Sequence, residues 1–186
     1  TGEANHAGTT RMEDRHDPML TYAMTALAAN KQARLAAERA TFGRLQVEPN
    51  GTNAVPSQVT AWLDARASTD ESLAALVDGI TRQGTDRAER DGTSLTVTAE
   101  SVSGSVAFDP ELARRLASLG GPDAWPIIPT QAGHDAGILS AAGIPTAMLF
   151  VRNPTGISHS PEEFAEMVDC LAGVAALADV LTELAR

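Results

Sequence analysis

Apolar and polar residues follow two different periods in the first half of the chain. Residues 17–37 carry apolar side chains three and four positions apart, which predicts a helix. The side chains expected on its inner face are Leu20, Met24, Leu27 and Leu35. Residues 41–48 and 59–66 alternate between apolar and polar, which predicts two half-buried strands. The sequence Pro49-Asn50-Gly51 predicts the turn that follows the first of these strands.

A second helix and a last strand are predicted next in the first half of the chain. Ser68 and Glu71 predict a capping box at the start of the second helix. Residues 95–99 alternate again and predict the last strand. With a short opening strand, the order becomes β-α-β-β-α-β, which is typical of a ferredoxin-like sheet with two helices on one face. These elements predict a first, α+β domain over residues 1–106.

The pattern changes after Phe108. The shorter elements predicted there are helices from Asp109 and over residues 135–142, and an apolar strand over residues 125–128. Residues 146–151 are apolar without alternation, which predicts a strand buried on both faces. Ser160 and Pro161 predict the start of a last helix with one apolar stripe. Residues 107–186 are therefore expected to form part of an α/β domain, whose few strands cannot be covered on both faces by this segment alone.

Composition excludes several classes of partner. The net charge of −10 argues against binding to nucleic acid or to an anionic membrane surface. No apolar run approaches the length of a membrane span. Cys170 is the single cysteine, so no disulfide framework is predicted, which favours a reducing, cytoplasmic environment. Neither nucleic acid nor a membrane is therefore expected as a partner.

The residues that could carry chemistry give modest signals one at a time. His159 follows the predicted buried strand, at the edge where open α/β sheets bind ligands. His6 lies in a polar loop, where a solvated side chain is an equal alternative. Asn53 follows an Asn-Gly turn and could serve only the turn. Arg66 shares one strand face with Asp64, which favours a surface ion pair.

Spacing alone gives little support to a metal site. A catalytic zinc ion needs three protein ligands and one open position. The dense candidates are His134, Asp135, His159 and Glu163, and none shows the short spacing of a known zinc motif. Asp135 is equally suited to cap the helix that follows it.

Four segments taken together resemble one family. They are Gly2-Glu3-Ala4-Asn5-His6-Ala7-Gly8-Thr9-Thr10, Asn53-Ala54-Val55-Pro56 followed by Asp64-Ala65-Arg66, Ala132-Gly133-His134-Asp135-Ala136, and Gly156-Ile157-Ser158-His159-Ser160-Pro161 with Glu163. In this order they are similar to the N-carbamoyl-L-amino-acid hydrolase and allantoate amidohydrolase family, which belongs to the dinuclear zinc aminopeptidase-like amidohydrolases. The resemblance covers essentially the whole chain.

The resemblance implies a fold and an activity. Residues 1–106 would form a ferredoxin-like βαββαβ lid and dimerisation domain, and residues 107–186 the carboxyl-terminal portion of an α/β zinc-hydrolase catalytic domain. Thr1-Gly2-Glu3-Ala4-Asn5 reads as the end of a strand already under way, so a longer protein is expected. That protein would be a homodimer with two divalent metal ions, Zn²⁺ or Mn²⁺. It would hydrolyse a linear C–N bond in allantoate or an N-carbamoyl-L-amino acid.

The resemblance also implies roles for single residues. His6 would stabilise the oxyanion, Asn53 would hydrogen-bond the substrate, Arg66 would bind its carboxylate, His159 would bind a metal ion, and Gly133 and His134 would line the pocket. The other metal ligands and the general base would precede Thr1, so this chain alone is expected to bind no metal. Arg11 replaces a usual proline. Gln131 replaces a usual glycine, and it would narrow the substrate pocket or add a hydrogen bond there.

Two other functions stay open from the sequence. The motifs recognise the carboxylate end of a substrate more than its acyl end, so an N-formyl amino acid is an alternative substrate. The chain could also be a non-catalytic dimerisation or binding module, because it keeps the lid motifs and has few metal ligands.

Overall fold

The computed structural model describes residues 1–186, apart from the side chains of residues 122 and 123. The chain forms two compact units, Thr1–Ser105 and Val106–Arg186. The first contains strands β1 (Asn5–His6), β2 (Arg39–Glu48), β3 (Ala54–Val55) and β4 (Gln58–Arg66), helices α1 (Pro18–Ala36) and α2 (Asp70–Asp91), and a 3-10 turn at Met12–Asp14. The second contains helices α3 (Pro110–Ala117), α4 (Asp135–Ala141) and α5 (Met167–Leu184), with a 3-10 segment at Ser118–Asp123. The described part of the chain is thus a mixed α/β structure, in which no helix is both long enough and apolar enough to cross a bilayer.

Helix α1 has the ends that its sequence predicts. The Asp17 carboxylate accepts a hydrogen bond from the Met19 amide, and Pro18 occupies the first helical position. Helix α2 begins differently from the prediction, because Thr69 rather than Ser68 is its N-cap. The Thr69 hydroxyl accepts from the Ser72 amide at 3.1 Å, whereas Ser68 bonds to Glu38 instead.

The buried face of α1 is not the predicted one. The buried residues are Pro18, Thr21, Thr25, Ala29 and Ala33, whereas Leu20, Met24, Leu27 and Leu35 are 45–74% exposed. Helix α2 explains the difference, because it packs closely against α1. A Cβ atom built on Gly84 of α2 would lie 3.2 Å from Thr25 Cγ2. Only small side chains fit so close a contact, so the leucines lie outside it.

Strands β2 and β4 pair antiparallel, from Arg39 opposite Arg66 to Glu48 opposite Gln58, as their alternation predicts. The residues that face the helices are Ala40, Phe42, Leu63 and Ala65, and they pack on Ala29, Ala33, Leu76 and Ile80. Because successive side chains of a strand point to opposite faces, Asp64 and Arg66 lie on the face away from the helices.

The predicted last strand of the first unit is absent from the structure. Ser94 exchanges two backbone hydrogen bonds with Thr1, at 2.8 and 2.9 Å, but residues 95–99 form no strand. Leu95 and Val97 are 38% and 56% exposed. An alternating segment forms a stable strand only where one of its faces is covered, and these side chains are not covered. The complete ferredoxin-like arrangement therefore stays a prediction.

The second unit has helices but no strand among its described residues. The strand predictions over residues 125–128 and 146–151 are wrong for this structure, and Ile127 and Phe150 are 62% and 50% exposed. Both predictions rested on apolar composition, which does not supply the hydrogen-bonding neighbours that a strand needs.

The last helix also begins later than predicted. Helix α5 starts at Met167 after Glu166, and the predicted start at Ser160 and Pro161 forms only a turn, in which the Ser160 carbonyl accepts from the Glu163 amide. The apolar stripe of α5 is exposed; Leu171 and Val174, for example, are 63% and 67% exposed, and only Val180 in the helix is buried.

Candidate active site

The structure brings two of the predicted site residues together in the first unit. Strand β1 pairs antiparallel with β3, which sets His6 opposite Ala54. The next residue continues the pairing, because the Ala7 amide donates to the Asn53 carbonyl at 2.8 Å. His6 and Asn53 are 47 positions apart in sequence and become neighbours through this short ladder. Both side chains are exposed.

The loop after His6 is held by hydrogen bonds. The His6 carbonyl accepts from the Thr10 hydroxyl at 2.8 Å and from the Thr10 amide at 3.1 Å. The Arg15 guanidinium donates to the Ala7 carbonyl at 2.6 Å and to the Thr10 carbonyl at 2.9 Å. His6 Nδ1 accepts from the Gly8 amide at 3.0 Å. The ring of His6 is therefore attached to its own loop through one nitrogen.

Arg66 lies on the helix-free face of the sheet, in a bidentate pair with Asp64. Arg66 Nε donates to Asp64 Oδ1 at 2.8 Å, and Nη2 donates to Oδ2 at 2.9 Å. The hydrogen bond from Arg66 and the charge of its guanidinium lower the pKa of Asp64. The hydrogen bond to Asp64 and the charge of its carboxylate raise the pKa of Arg66. Their side chains are 57% and 44% exposed, so the predicted surface ion pair is present.

Further along the same face lies a cluster that the sequence analysis missed. The Arg44 guanidinium carbon lies 4.1 Å above the centre of the Trp62 ring, and the Trp62 indole N–H donates to the Glu100 carboxylate at 3.1 Å. The alternation of β4 already placed Trp62 on this face. Arg44 joins it because the irregular register at Gly43 shifts the alternation of β2.

In the second unit, His134 has a structural role that the sequence assigned to Asp135. His134 is the N-cap of α4, and its Nδ1 accepts from the Ala136 amide at 3.0 Å, so the predicted cap at Asp135 is wrong. Gly133, which precedes His134, is exposed, and a Cβ atom added there would meet no atom within 4 Å. Gln131 lies half-buried at the start of this segment.

His159 lies in a tight loop of the second unit. Its backbone has a φ of 58°, and its amide donates to the Glu163 carboxylate at 3.0 Å. The Ser158 hydroxyl donates to the same carboxylate oxygen at 3.2 Å. Asn153 closes the preceding turn, since its side-chain oxygen accepts from the amides of Thr155 and Gly156.

The residues present do not by themselves fit a metal centre. Over the described part of the chain, no group of three His, Cys, Asp or Glu side chains is placed to hold an ion. The Glu163 carboxylate next to His159 is taken up by loop hydrogen bonds. Three protein ligands are the minimum in catalytic zinc sites, so no step through a metal ion follows from these residues alone.

Known proteins resemble the whole chain. The sequence profile of the peptidase family M20/M25/M40 matches residues 13–183. An N-carbamoyl-L-amino acid amidohydrolase of Geobacillus stearothermophilus is 32% identical over 193 residues, which cover 100% of this chain and 46% of that protein. An allantoate amidohydrolase of Escherichia coli is 32% identical over 192 residues, covering 99% of this chain and 46% of that protein.

A solved structure is also similar. An amidase of the hydantoinase/carbamoylase family from Burkholderia vietnamiensis has a TM-score of 0.89 at 30% identity, covering 97% of this chain and 44% of that one. The chain thus spans about half the length of the curated relatives it matches.

Proposed function

Because this chain belongs to the peptidase family M20/M25/M40, we propose that the protein containing it hydrolyses a linear C–N bond of a ureido or N-acyl group in a small carboxylate. The names of the relatives support allantoate or an N-carbamoyl-L-amino acid as the substrate. We place the protein in the cytoplasm, in keeping with its single cysteine.

The observation that carries the proposal is the pairing of His6 with the segment of Asn53. Gly8 donates to His6 Nδ1, so the proton of the neutral imidazole is on Nε2. An Nε2–H group can donate to the carbonyl oxygen of the substrate as negative charge develops there. Asn53 offers an amide for a second hydrogen bond to the substrate. In this proposal the two side chains would both act on the ureido or acyl group of the substrate.

Arg66 supplies the carboxylate-binding group in this proposal. Asp64 engages one edge of the guanidinium, through Nε and Nη2. A carboxylate pairs best with two parallel N–H groups, which a guanidinium can present. The substrate carboxylate would therefore pair with Arg66, while Asp64 fixes the plane of the guanidinium.

The second unit would supply part of the pocket and one metal ligand. When bound, two divalent ions, Zn²⁺ or Mn²⁺, would activate water and polarise the carbonyl. His159 would provide one ligand, and the remaining ligands and the general base would lie outside residues 1–186. Gly133, His134 and Gln131 would line the substrate side of the pocket, where Gln131 adds an amide that could contact the substrate.

The site would be shared between the subunits of a homodimer, with His6, Asn53 and Arg66 from one subunit and His159 from the other. Mixing two inactive variants tests this arrangement. His6→Ala and His159→Ala homodimers should both be inactive, but a mixed dimer would contain one site without either defect. Activity should return after dissociation and reassociation. If heterodimers form and remain inactive, His6 serves its own subunit.

A binding module is the rival function. It is favoured by one observation, that the described residues contain no group of three metal-ligating side chains. Such a module would bind a carboxylate through Arg66 without cleaving it.

An assay of the intact protein separates these functions. Ammonia and amine release should be measured with allantoate, N-carbamoyl-L-amino acids and N-formyl amino acids, with and without a chelator. We expect chelator-sensitive turnover of a ureido substrate; preferred turnover of a formyl substrate would change the assignment, and binding without turnover would favour the module.

Arg66→Lys should raise KM for the carboxylate substrate and leave a matched carboxamide analogue unaffected. Equal losses on both substrates would make Arg66 structural only.

A further inference from the structure

The imidazole of His6 has one nitrogen already engaged. Its Nδ1 accepts a hydrogen bond from the Gly8 amide at 3.0 Å. A ring nitrogen that accepts a hydrogen bond cannot carry a proton, so the neutral ring has its hydrogen on Nε2. The loop thereby selects one of two tautomers and leaves a donor, not an acceptor, at the outer edge of the ring.

The loop that presents the Gly8 amide is itself fixed. Arg15, which is partly buried, donates to the carbonyls of Ala7 and Thr10 on either side of Gly8. The His6 carbonyl accepts from the amide and the hydroxyl of Thr10. These contacts close the segment from His6 to Thr10 into a compact turn. The direction of the Gly8 amide is therefore set by contacts that do not involve the ring.

Glycine permits this close approach. A Cβ atom at Gly8 would lie 3.2 Å from His6 Cε1 and 3.5 Å from Nδ1. The first distance is tighter than an ordinary carbon–carbon contact, so any larger residue would press the ring away from the amide. The hydrogen bond from the Gly8 amide to Nδ1 therefore depends on the absence of a side chain at Gly8.

His134 shows the same bond in a different setting. Its Nδ1 accepts from the Ala136 amide at 3.0 Å, two residues further along, as in the pair of His6 and Gly8. There the amide direction comes from the first turn of α4. Among the hydrogen bonds of the described residues, neither His16 nor His159 receives a backbone N–H on its ring. His134 is therefore an internal comparison for His6.

We propose that Gly8 and Arg15 are positioning residues that hold His6 as its Nε2–H tautomer, so that the ring enters the reaction as a hydrogen-bond donor and not as a base. The tautomer follows from the loop alone. Its use in the reaction rests on the function proposed above. The two parts need separate measurements.

The tautomer is tested by NMR on the ¹⁵N-labelled chain of residues 1–186. A hydrogen bond between two nitrogens gives a scalar coupling between the Gly8 amide nitrogen and His6 Nδ1. We expect a cross-peak for this pair and a second one for Ala136 and His134, with His6 only in the Nε2–H form. A spectrum with the His134 cross-peak and without the His6 cross-peak overturns the proposal.

Two variants test the positioning role. Gly8→Ala keeps the amide but crowds the ring, and Arg15→Ala removes the hydrogen bonds to the carbonyls of Ala7 and Thr10. Both should lose the His6 coupling, gain a measurable Nδ1–H population and retain the His134 coupling. Slow exchange of the α1 and α2 amides shows that the first unit of each variant is folded. Retention of the full His6 coupling in both variants overturns the role of Gly8 and Arg15.

The catalytic part is tested in the intact protein. Gly8→Ala should lower kcat on the order of tenfold with little change in KM, because the donor acts on the developing charge. If the coupling is lost and kcat is unchanged, the donor role of His6 is wrong although its tautomer is established. If the wild-type protein turns over no substrate, the proposed function fails and the NMR result still decides the tautomer.

Discussion

The two units of this chain differ in how far their apolar residues are buried. In the first, Ala29 and Ile80 are 1% and 3% exposed in a core between two helices and a paired sheet. In the second, Phe150 and Val174 are 50% and 67% exposed, and the described residues form no sheet. Apolar residues are plentiful in both units. What differs is the presence of a second layer, because a helix stripe or an apolar run is buried only by another element.

The comparison predicts a large difference in hydrogen exchange. Amides of α1, α2 and the β2–β4 ladder should be protected by several orders of magnitude, since their opening requires loss of the core. Amides of residues 125–128 and 146–151 should exchange nearly as fast as unstructured peptide. Mass spectrometry of peptides from the 186-residue chain measures both. Strong protection of residues 146–151 in a monomer would remove the contrast between the units.

Alanine substitutions should show the same contrast in stability. Ile80→Ala should lower the free energy of unfolding by about 2–5 kcal/mol, because it leaves a cavity in a closed core. Leu171→Ala on the exposed stripe of α5 should change it by less than about 0.5 kcal/mol. Urea denaturation followed by circular dichroism compares the two variants. Similar losses would mean that Leu171 is covered in solution.

The sequence predicted the features that depend on local signals. The extent of α1 follows from its cap and periodicity, the start of α3 was predicted at Asp109, and the alternation of residues 59–66 placed Asp64 and Arg66 on one face of β4. The four motifs predicted the family, which the profile match confirms. The same local signals do not determine which face of a helix is buried. The contact with Gly84 decides that for α1, and Gly84 is more than 50 positions away from Thr25.

The candidate site shows the same limit. His6 and Asn53 were selected separately from motifs, but their proximity depends on β1 and β3, which are two residues long each. No periodicity can be detected in two residues. The stacking of Arg44 on Trp62 depends on the irregular register at Gly43, which the pattern of β2 alone does not predict.

Two glycine substitutions sharpen the comparison of packing. Gly84→Ala in α2 should lower stability by about 1–2 kcal/mol, because the new Cβ would meet Leu95 at 2.9 Å and Thr25 at 3.2 Å. Gly137→Ala in α4 should raise local helix stability by up to about 1 kcal/mol, since an added Cβ meets no atom within 4 Å and alanine is the better helix former. Thermal denaturation measures the first, and amide exchange in α4 measures the second. A neutral Gly84→Ala would show that the helices can separate slightly without cost.

The smallest expected effect on stability concerns Asp64 and Arg66, although both belong to the proposed site. Both side chains are more than one-third exposed, so Asp64→Asn should change the free energy of unfolding by less than about 1 kcal/mol near neutral pH. The pKa of Asp64 is lower in the folded state, so its contribution is present above the pKa of the unfolded chain. That contribution should disappear as the pH falls through the folded pKa, where the carboxylate is protonated in both states. Urea titrations of wild type and variant across acidic pH measure the difference.

In the intact protein, the same variant should raise KM for the carboxylate substrate more than Asp64→Glu does, because a neutral side-chain amide at this position cannot hold the guanidinium plane with two anionic oxygens. An unchanged KM for Asp64→Asn would mean that Arg66 binds its carboxylate without help from Asp64.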